Sequence, residues 1–363
     1  MKEALLSFLK IGSTSDNIPK LHEAIKFVEQ LVSDLDLNIE KYEKNDIPSI
    51  VISQRKTLTP KIMLSGHVDV VPPLDSDQFE PYEKDGRIYA RGSSDMKGVD
   101  VAMIYAYKEL ISEGNKLDVA LMFTSDEEVG SDNGVQYLLN DVGYRPGVVF
   151  LPDSGPNWSI CVAEKGLWHL KCTATGVAAH GARPWLGKNA INQLTEAYSW
   201  LHDEFITRWG TPTASNDWIP TVNIGMIKGG SAINMVPDSA EMFLDIRIPA
   251  EFDPLIIQEL VTKEFTSRNL LLTTIHWSSA VNNDPRSGPT KIWQEITHDH
   301  GIQPEIIRSH GGSDAAFFSA KGIPVLMTMP TCSSAHIKDE WVDFEDLMKF
   351  KDLIKEWIIA NCK

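Results

Sequence analysis

Basic residues are scarce in this chain: 34 Lys plus Arg stand against 50 Asp plus Glu, giving a formal net charge of -16 over 363 residues. A field of that sign repels nucleic-acid backbones and anionic bilayers, so neither is expected as a partner. Cysteine is scarcer still. Cys161, Cys172, Cys332 and Cys362 are the full set and none forms a Cys-x-x-Cys pair, which excludes a disulfide scaffold and fits a reducing, cytoplasmic setting. No apolar stretch approaches the roughly 20 residues of a membrane-spanning helix. The run from Ala4 to Leu9 is short, broken by Ser7 and flanked by Lys2, Glu3 and Lys10, a weak secretory signal. Two catalytic signatures are missing as well: there is no Gly-x-x-x-x-Gly-Lys-Ser/Thr phosphate loop and no Gly-x-Ser-x-Gly nucleophile elbow. What is present, 42% hydrophobic and 23% charged residues, describes a globular chain longer than one hydrophobic core usually supports, so two domains are expected.

The pattern of the first 166 residues alternates. Ile18 to Leu35 places apolar side chains at helical spacing, with Pro19 tolerable in a first turn. Ser49 to Ile52, Lys61 to Ser65, Val119 to Thr124 and Gly147 to Leu151 read as strands, and Val99 to Ile111 and Gly134 to Asn140 as helices. That order predicts an α/β fold with a mostly parallel sheet. The middle differs. His169 to Ala174, Thr221 to Lys228, Ala240 to Ile248 and Leu270 to Ser278 read as strands, with helices over Asn189 to Phe205 and Asp253 to Thr266. Strand, helix, strand, strand, helix, strand is the order of a ferredoxin-like unit. The α/β pattern then resumes: helices over Lys291 to His298 and Phe344 to Ile359, strands near Gln303 to Ile307 and Pro324 to Met329. The expected layout is a catalytic domain over 1–166 and 281–363, with an α+β lid inserted at 167–280.

Polar groups gather just past the predicted strand ends, where open α/β sheets place their ligand sites. His67 and Asp69 follow Lys61 to Ser65, Glu127 and Glu128 follow Val119 to Thr124, and Asp153 follows Gly147 to Leu151. With Asp95 and His336 they supply imidazole nitrogens and carboxylate oxygens of the kind zinc accepts. Cobalt or manganese also suits such donors. Two divalent ions carry +4; Asp95, Glu128 and Asp153 supply -3, and a hydroxide between the ions completes the balance. Asp95 could give one oxygen to each ion, with His67 and His336 capping opposite sides and Glu128 and Asp153 completing the shells, the ions roughly 4 Å apart.

Asp69, two residues after His67, reads either as the carboxylate that orients the imidazole or as a turn-capping aspartate. Glu127 is the candidate base and acid, taking a proton from water and returning it to the leaving nitrogen; the plainer reading is a solvated Asp126-Glu127-Glu128 charge run. Burial would raise the Glu127 pKa and neighbouring cations would lower it. Within Arg91-Gly92-Ser93-Ser94-Asp95-Met96-Lys97-Gly98, the lysine either neutralises an outer carboxylate or faces solvent.

Taken in order, Ser65-Gly66-His67-Val68-Asp69-Val70-Val71-Pro72-Pro73, the Arg91 to Gly98 segment, Thr124 to Gly130, Asp153 and Ser334-Ala335-His336 resemble the metal and base motifs of one zinc-dependent family. It comprises glutamate carboxypeptidase, dipeptidases, aminoacylase, acetylornithine deacetylase and succinyl-diaminopimelate desuccinylase. The resemblance implies a zinc exopeptidase-like fold, two Zn2+ per subunit, and a lid that also makes a homodimer. It implies that His180, in Ala179-His180-Gly181, polarises the scissile carbonyl in a neighbouring subunit's site. Asn234 and Arg247 take the place of lid residues that contact substrate, and Gly311 and Gly312 that of a backbone patch receiving its carboxylate; an arginine fork suits such a group. The family's deacylases tend to carry glutamate where this chain has Asp153. The aspartate therefore favours hydrolysis of small peptides bearing a free carboxylate, as by a carboxypeptidase or dipeptidase, over N-acyl-amino-acid deacylation. Trp185 and Leu186 near His180 offer either an apolar substrate contact or ordinary packing.

Overall fold

Every residue of the strands Ile47–Ser53, Ile62–His67 and Val119–Thr124 is buried in the computed structural model, which describes residues 1–333 and 335–362. Unbroken burial of this kind marks strands covered on both faces. The chain divides into two compact units. The first comprises Met1–Ala163, Asn282–Ser309 and Ser313–Lys363, and the second Glu164–Val281 and His310–Gly312.

In the first unit, neighbouring strands run Asn38–Lys44, Ile47–Ser53, Val119–Thr124, Ile62–His67, Val148–Phe150, Val325–Thr328 and Ile160–Glu164. The four from Val119–Thr124 to Val325–Thr328 are parallel; the flanking pairs are antiparallel. The sheet is therefore mixed, with a parallel centre. Parallel neighbours need crossover connections, and the helix Lys97–Ser112 falls between Ile62–His67 and Val119–Thr124 in sequence. Eleven of its residues, Lys97 and Asp100 included, are buried. The closing helix Phe344–Cys362 buries Phe350 and Trp357, which ring against Phe150 at centroid distances of 5.9 and 5.2 Å.

The strand Asn38–Lys44 did not register as a strand in the sequence pattern. Its charged Glu40, Lys41, Glu43 and Lys44 suit a sheet edge, where charge discourages further pairing. The apolar run near the start forms the helix Lys2–Leu9, with Leu5, Phe8 and Leu9 buried. The segment expected as a helix at 134–140 is a short α turn, Val135–Tyr137, continuing as a π-helical turn over Leu138–Val142.

The second unit is a four-stranded antiparallel sheet in the order Thr221–Gly229, Ser239–Ile248, Gly166–Thr175, Leu271–Ser278, with helices Ala190–Trp209 and Pro254–Ser267. This is the ferredoxin-like arrangement. Burial alternates along Gly166–Thr175 and Ser239–Ile248, as expected when one face meets the core and the other stays open. Trp168, Leu170, Cys172, Leu244 and Ile246 pack with Leu194, Leu201, Val261 and Phe265 of the helices; Asp245 and Arg247 occupy the opposite face. Among the described residues no helix is long and apolar enough to cross a membrane, and all four cysteines are free thiols.

Candidate active site

His67 ends a central parallel strand and is 1% exposed. The residue before it is glycine, and a β-carbon there would lie 2.1 Å from Asp100 Oδ1 and force that buried side chain to move. The His67 Nδ1 lies 3.0 Å from the Asp69 backbone carbonyl. Its Nε2 lies 3.1 Å from Asp95 Oδ1, 3.8 Å from Asp153 Oδ1 and 4.0 Å from Glu127 Oε2. Across the Asp95 carboxylate, His336 Nε2 lies 3.2 Å from Asp95 Oδ2 and 3.1 Å from Glu128 Oε2. One oxygen of Asp95 thus serves each imidazole. The structure brings His67, Asp95 and Asp153 into one group and Asp95, Glu128 and His336 into another, with the ligand atoms in each within 4.8 Å of one another. Ser334 lies outside the described residues.

Asp69 does something other than accept the imidazole N–H as its main task. Its carboxylate, fully buried, accepts the Glu127 and Glu128 amides at 3.2 Å each and the Ser15 hydroxyl at 2.8 Å. Its Oδ1 lies 3.4 Å from His67 Nδ1, and the backbone carbonyl makes the closer approach. The carboxylate therefore fixes the turn that carries the two glutamates. Lys97 neither faces solvent nor pairs with an outer carboxylate. It is buried and donates to the Ile11 carbonyl at 2.6 Å, and burial brings its pKa down to about 7.

Two anchoring groups escaped the sequence reading. Glu340, 1% exposed, accepts the Ser94 and Asp95 backbone N–H groups at 3.0 and 3.1 Å through Oε1 and the Arg91 guanidinium at 2.5 Å through Oε2. It holds the loop that presents Asp95. Asp314 accepts a hydrogen bond from the Ser131 hydroxyl at the end of the Glu127-Glu128 turn. Glu340 sits four residues after His336 and Asp314 two after Gly312, but neither spacing carries a metal or base signature.

The electrostatics follow from crowding acids in a buried space. Burial, reinforced by the Asp153 charge, pushes the Glu127 carboxyl well above its usual range. Burial alone would lower the His67 pKa, but Asp153, Asp69 and Asp95 hold it well above the ordinary imidazole value. Hydrogen bonds to Asp95 and Glu128 push His336 up to about 10. Burial raises Asp314 to about 7 and Asp126 to about 6. A site whose imidazoles are drawn toward the cationic form by surrounding carboxylates calls for positive charge. Two imidazole nitrogens and three carboxylates, in two groups sharing Asp95, are donors that suit two divalent ions.

The other sequence candidates lie in the second unit. His180 pairs with Met235 across a short two-stranded ladder, and Gly181 N–H donates to the Asn234 carbonyl at 2.6 Å, so His180 and Asn234 are neighbours. The Ala182 N–H donates to His180 Nδ1 at 3.0 Å, which leaves the proton of the neutral ring on Nε2. Trp185 and Leu186, just beyond, are 75% and 63% exposed, which removes core packing as their role. Arg247 Nε donates to Asp245 Oδ1 at 2.8 Å. With Lys165, Thr221 and His310 it lines a cavity of about 360 Å³. Gly311 and Gly312 group with this unit next to His310, whose Nε2 lies 3.1 Å from Asp217 Oδ2.

Paired imidazole and carboxylate donors at the carboxyl ends of parallel strands, with a partly covered glutamate beside them, define a metal-dependent hydrolase class, and similarity to known proteins agrees. Residues 63–360 match the profile of peptidase family M20/M25/M40, and the chain belongs to that family. It is 29% identical over 337 residues to a probable carboxypeptidase of Aspergillus clavatus, covering 85% of this chain and 78% of that protein. To a probable succinyl-diaminopimelate desuccinylase of Staphylococcus aureus it is 28% identical over 381 residues, covering 94% and 93%. The fold matches the crystal structure of an M20 family metallo-carboxypeptidase from Sulfolobus solfataricus with a TM-score of 0.80 at 21% identity, over 99% of this chain and 98% of that one.

Proposed function

We propose that the protein hydrolyses the peptide bond of small peptides that carry a free carboxylate, as a carboxypeptidase or dipeptidase. The observation that carries this reading is the Asp95 carboxylate, with one oxygen 3.1 Å from His67 Nε2 and the other 3.2 Å from His336 Nε2, and with Glu127 Oε2 4.0 Å from the same His67 nitrogen. His67, Asp95 and Asp153 would hold one Zn2+, and Asp95, Glu128 and His336 the other; Co2+ or Mn2+ suits the same donors. Such ions, when bound, polarise a carbonyl and make water acidic enough to be used at neutral pH.

Glu127 takes the proton from the attacking water and delivers it to the departing nitrogen, acting as base and then as acid. Asp69 keeps Glu127 and Glu128 in place through their amides. His180, with its Nε2–H free to donate, stabilises the carbonyl oxygen as negative charge develops on it. Asn234 contacts substrate, and Arg247 with the Gly311 and Gly312 amides receives its carboxylate. By family resemblance His180 serves a neighbouring subunit, which makes a homodimer through the second unit the working form. The acidic surface and the free cysteines suit a cytoplasmic enzyme.

A panel of dipeptides, tripeptides, their C-terminal amides and N-acyl amino acids, assayed with defined metal, tests the proposal. Peptides with a free carboxylate are expected to be cleaved and their amides spared. Hydrolysis confined to N-acetyl or N-succinyl amino acids would replace this reading with the deacylase one, which the similarity to the desuccinylase supports. Glu127→Gln is expected to keep its metal and lose turnover by roughly 10³-fold, within the range that general acid–base catalysis supplies. Metal content and kcat measured on one preparation check it.

A further inference from the structure

Ser131 and Asp314 lie 183 positions apart, yet the Ser131 hydroxyl donates a hydrogen bond to Asp314 Oδ1. Both residues are almost fully buried, at 1% and 2% exposure. Ser131 closes the turn that bears Glu127 and Glu128. Its N–H donates to the Asp126 carbonyl at 2.8 Å, and its own carbonyl accepts the Gln136 N–H at 3.1 Å. Its φ is +62°, directly after Gly130 at +109°. A serine held in the left-handed region costs on the order of 1 kcal/mol and persists where its surroundings over-determine it.

Asp314 is placed to be that determinant. It stands at the N-cap of the helix Ala315–Ser319, but its side chain makes no capping bond there; Ser313 Oγ accepts the Ala315 N–H instead, at 3.3 Å. The Asp314 carboxyl is committed to Ser131. The near end of the same turn is held by Asp69 through the Glu127 and Glu128 amides. The turn is thus pinned by two buried carboxyls, Asp69 on the backbone of the two glutamates themselves and Asp314 on Ser131, three residues beyond Glu128.

We propose that Asp314 is a positioning residue for hydrolysis: through Ser131 it fixes the far end of the turn and with it the direction in which Glu127 points. This rests on the reading of Glu127 as the base. A purely structural acid would show itself in stability and in no kinetic constant. A positioning acid lowers kcat in a folded, metal-replete protein, because small displacements of a reacting group are costly.

The experiment compares Asp314→Ala, Asp314→Asn, Ser131→Ala and the double variant Ser131→Ala/Asp314→Ala in the full chain. It measures kcat and KM on a peptide the parent cleaves, metal per subunit and the unfolding midpoint. Asp314→Ala and Ser131→Ala are each expected to lose roughly 10- to 100-fold in kcat, with KM and metal content unchanged. The double variant should be no slower than the slower single one. Asparagine retains an acceptor for Ser131, so Asp314→Asn should recover most of the loss. Parental kcat in Ser131→Ala overturns the proposal, and so do losses that multiply in the double variant. If Asp314→Ala does not fold, Ser131→Ala and Asp314→Asn decide alone. Parental turnover in Glu127→Gln would instead sink the reading of the base, whatever the Asp314 variants do.

Discussion

In the first unit the strand Ile62–His67 is buried at all its positions and offers its chemical group only where it ends, at His67. In the second, Ser239–Ile248 alternates, so that Asp245 and Arg247 sit between Leu244, Ile246 and Ile248 along a single strand. A sheet covered on both faces can present reactive groups only at its rim, and the loops there must then be held by further buried polar contacts, here Asp69, Glu340 and Asp314. A sheet with one open face presents polar groups along its whole length and needs no such bracing. The first arrangement gives a crowded, rigid, strongly perturbed site. The second gives groups such as Arg247, half-buried on the open face and paired with Asp245 Oδ1 at 2.8 Å.

Substitutions that separate the two modes sharpen this contrast. The largest effect is expected from His180→Ala in the open unit: roughly 10²- to 10³-fold off kcat, the scale of losing one donor to a developing oxyanion, with metal content and stability unchanged. Coincident loss of metal would break the comparison. Glu340→Ala in the closed unit should do the reverse, weakening metal binding by about 10- to 100-fold, as loss of groups that orient ligands does. It should also leave the Arg91 guanidinium buried and unpaired, and lower the unfolding midpoint. Metal titration against a competing chelator measures the first and thermal melting the second.

The smallest effect concerns Asp126, whose pKa is raised to about 6, chiefly by burial. Between the unfolded value near 3.8 and 6 the native state binds more protons than the unfolded one. Its contribution to stability is therefore fully present below pH 3.8 and is lost as pH rises through about 6. Asp126→Asn cannot ionise and still offers an acceptor to the Asn133 N–H. It should gain on the parent as pH rises from 4 to 7, by about 1.4 kcal/mol per unit of pKa shift. Denaturant midpoints of the two proteins at both pH values test this, and parallel pH profiles would contradict it.

Much of this was legible in the sequence wherever a residue's role coincides with a local pattern. Val119 to Thr124 reads as a strand because it is continuously apolar, and it is one. The ferredoxin-like order was readable because half-buried strands alternate with period two. His67, Glu128 and Asp153 could be grouped because strand ends converge in a parallel sheet; Asp95 and His336 joined them through their donor chemistry and the order of the motifs. The strand Asn38–Lys44 was not readable, since an edge strand armed with charges loses the alternation that marks strands. Glu340 and Asp314 were not readable for a different reason. Each acts through hydrogen-bonding partners some 180 to 250 positions away, Ser131 for Asp314 and Arg91, Ser94 and Asp95 for Glu340, and separations of that size leave no periodicity. For Asp69 the sequence leaves two readings open, orienting the imidazole or capping a turn, because the amides it accepts belong to a turn 58 and 59 positions away.

The span covered by the Glu340 contacts also bears on how the enzyme comes into being. The loop that presents Asp95 has its buried counter-ligand 245 residues downstream, beyond the whole of the second unit. While the polypeptide is still being synthesised, that loop lacks its anchor, and His336 does not yet exist. The anchored loop and the His336 imidazole can therefore come together only after Glu340 has been made.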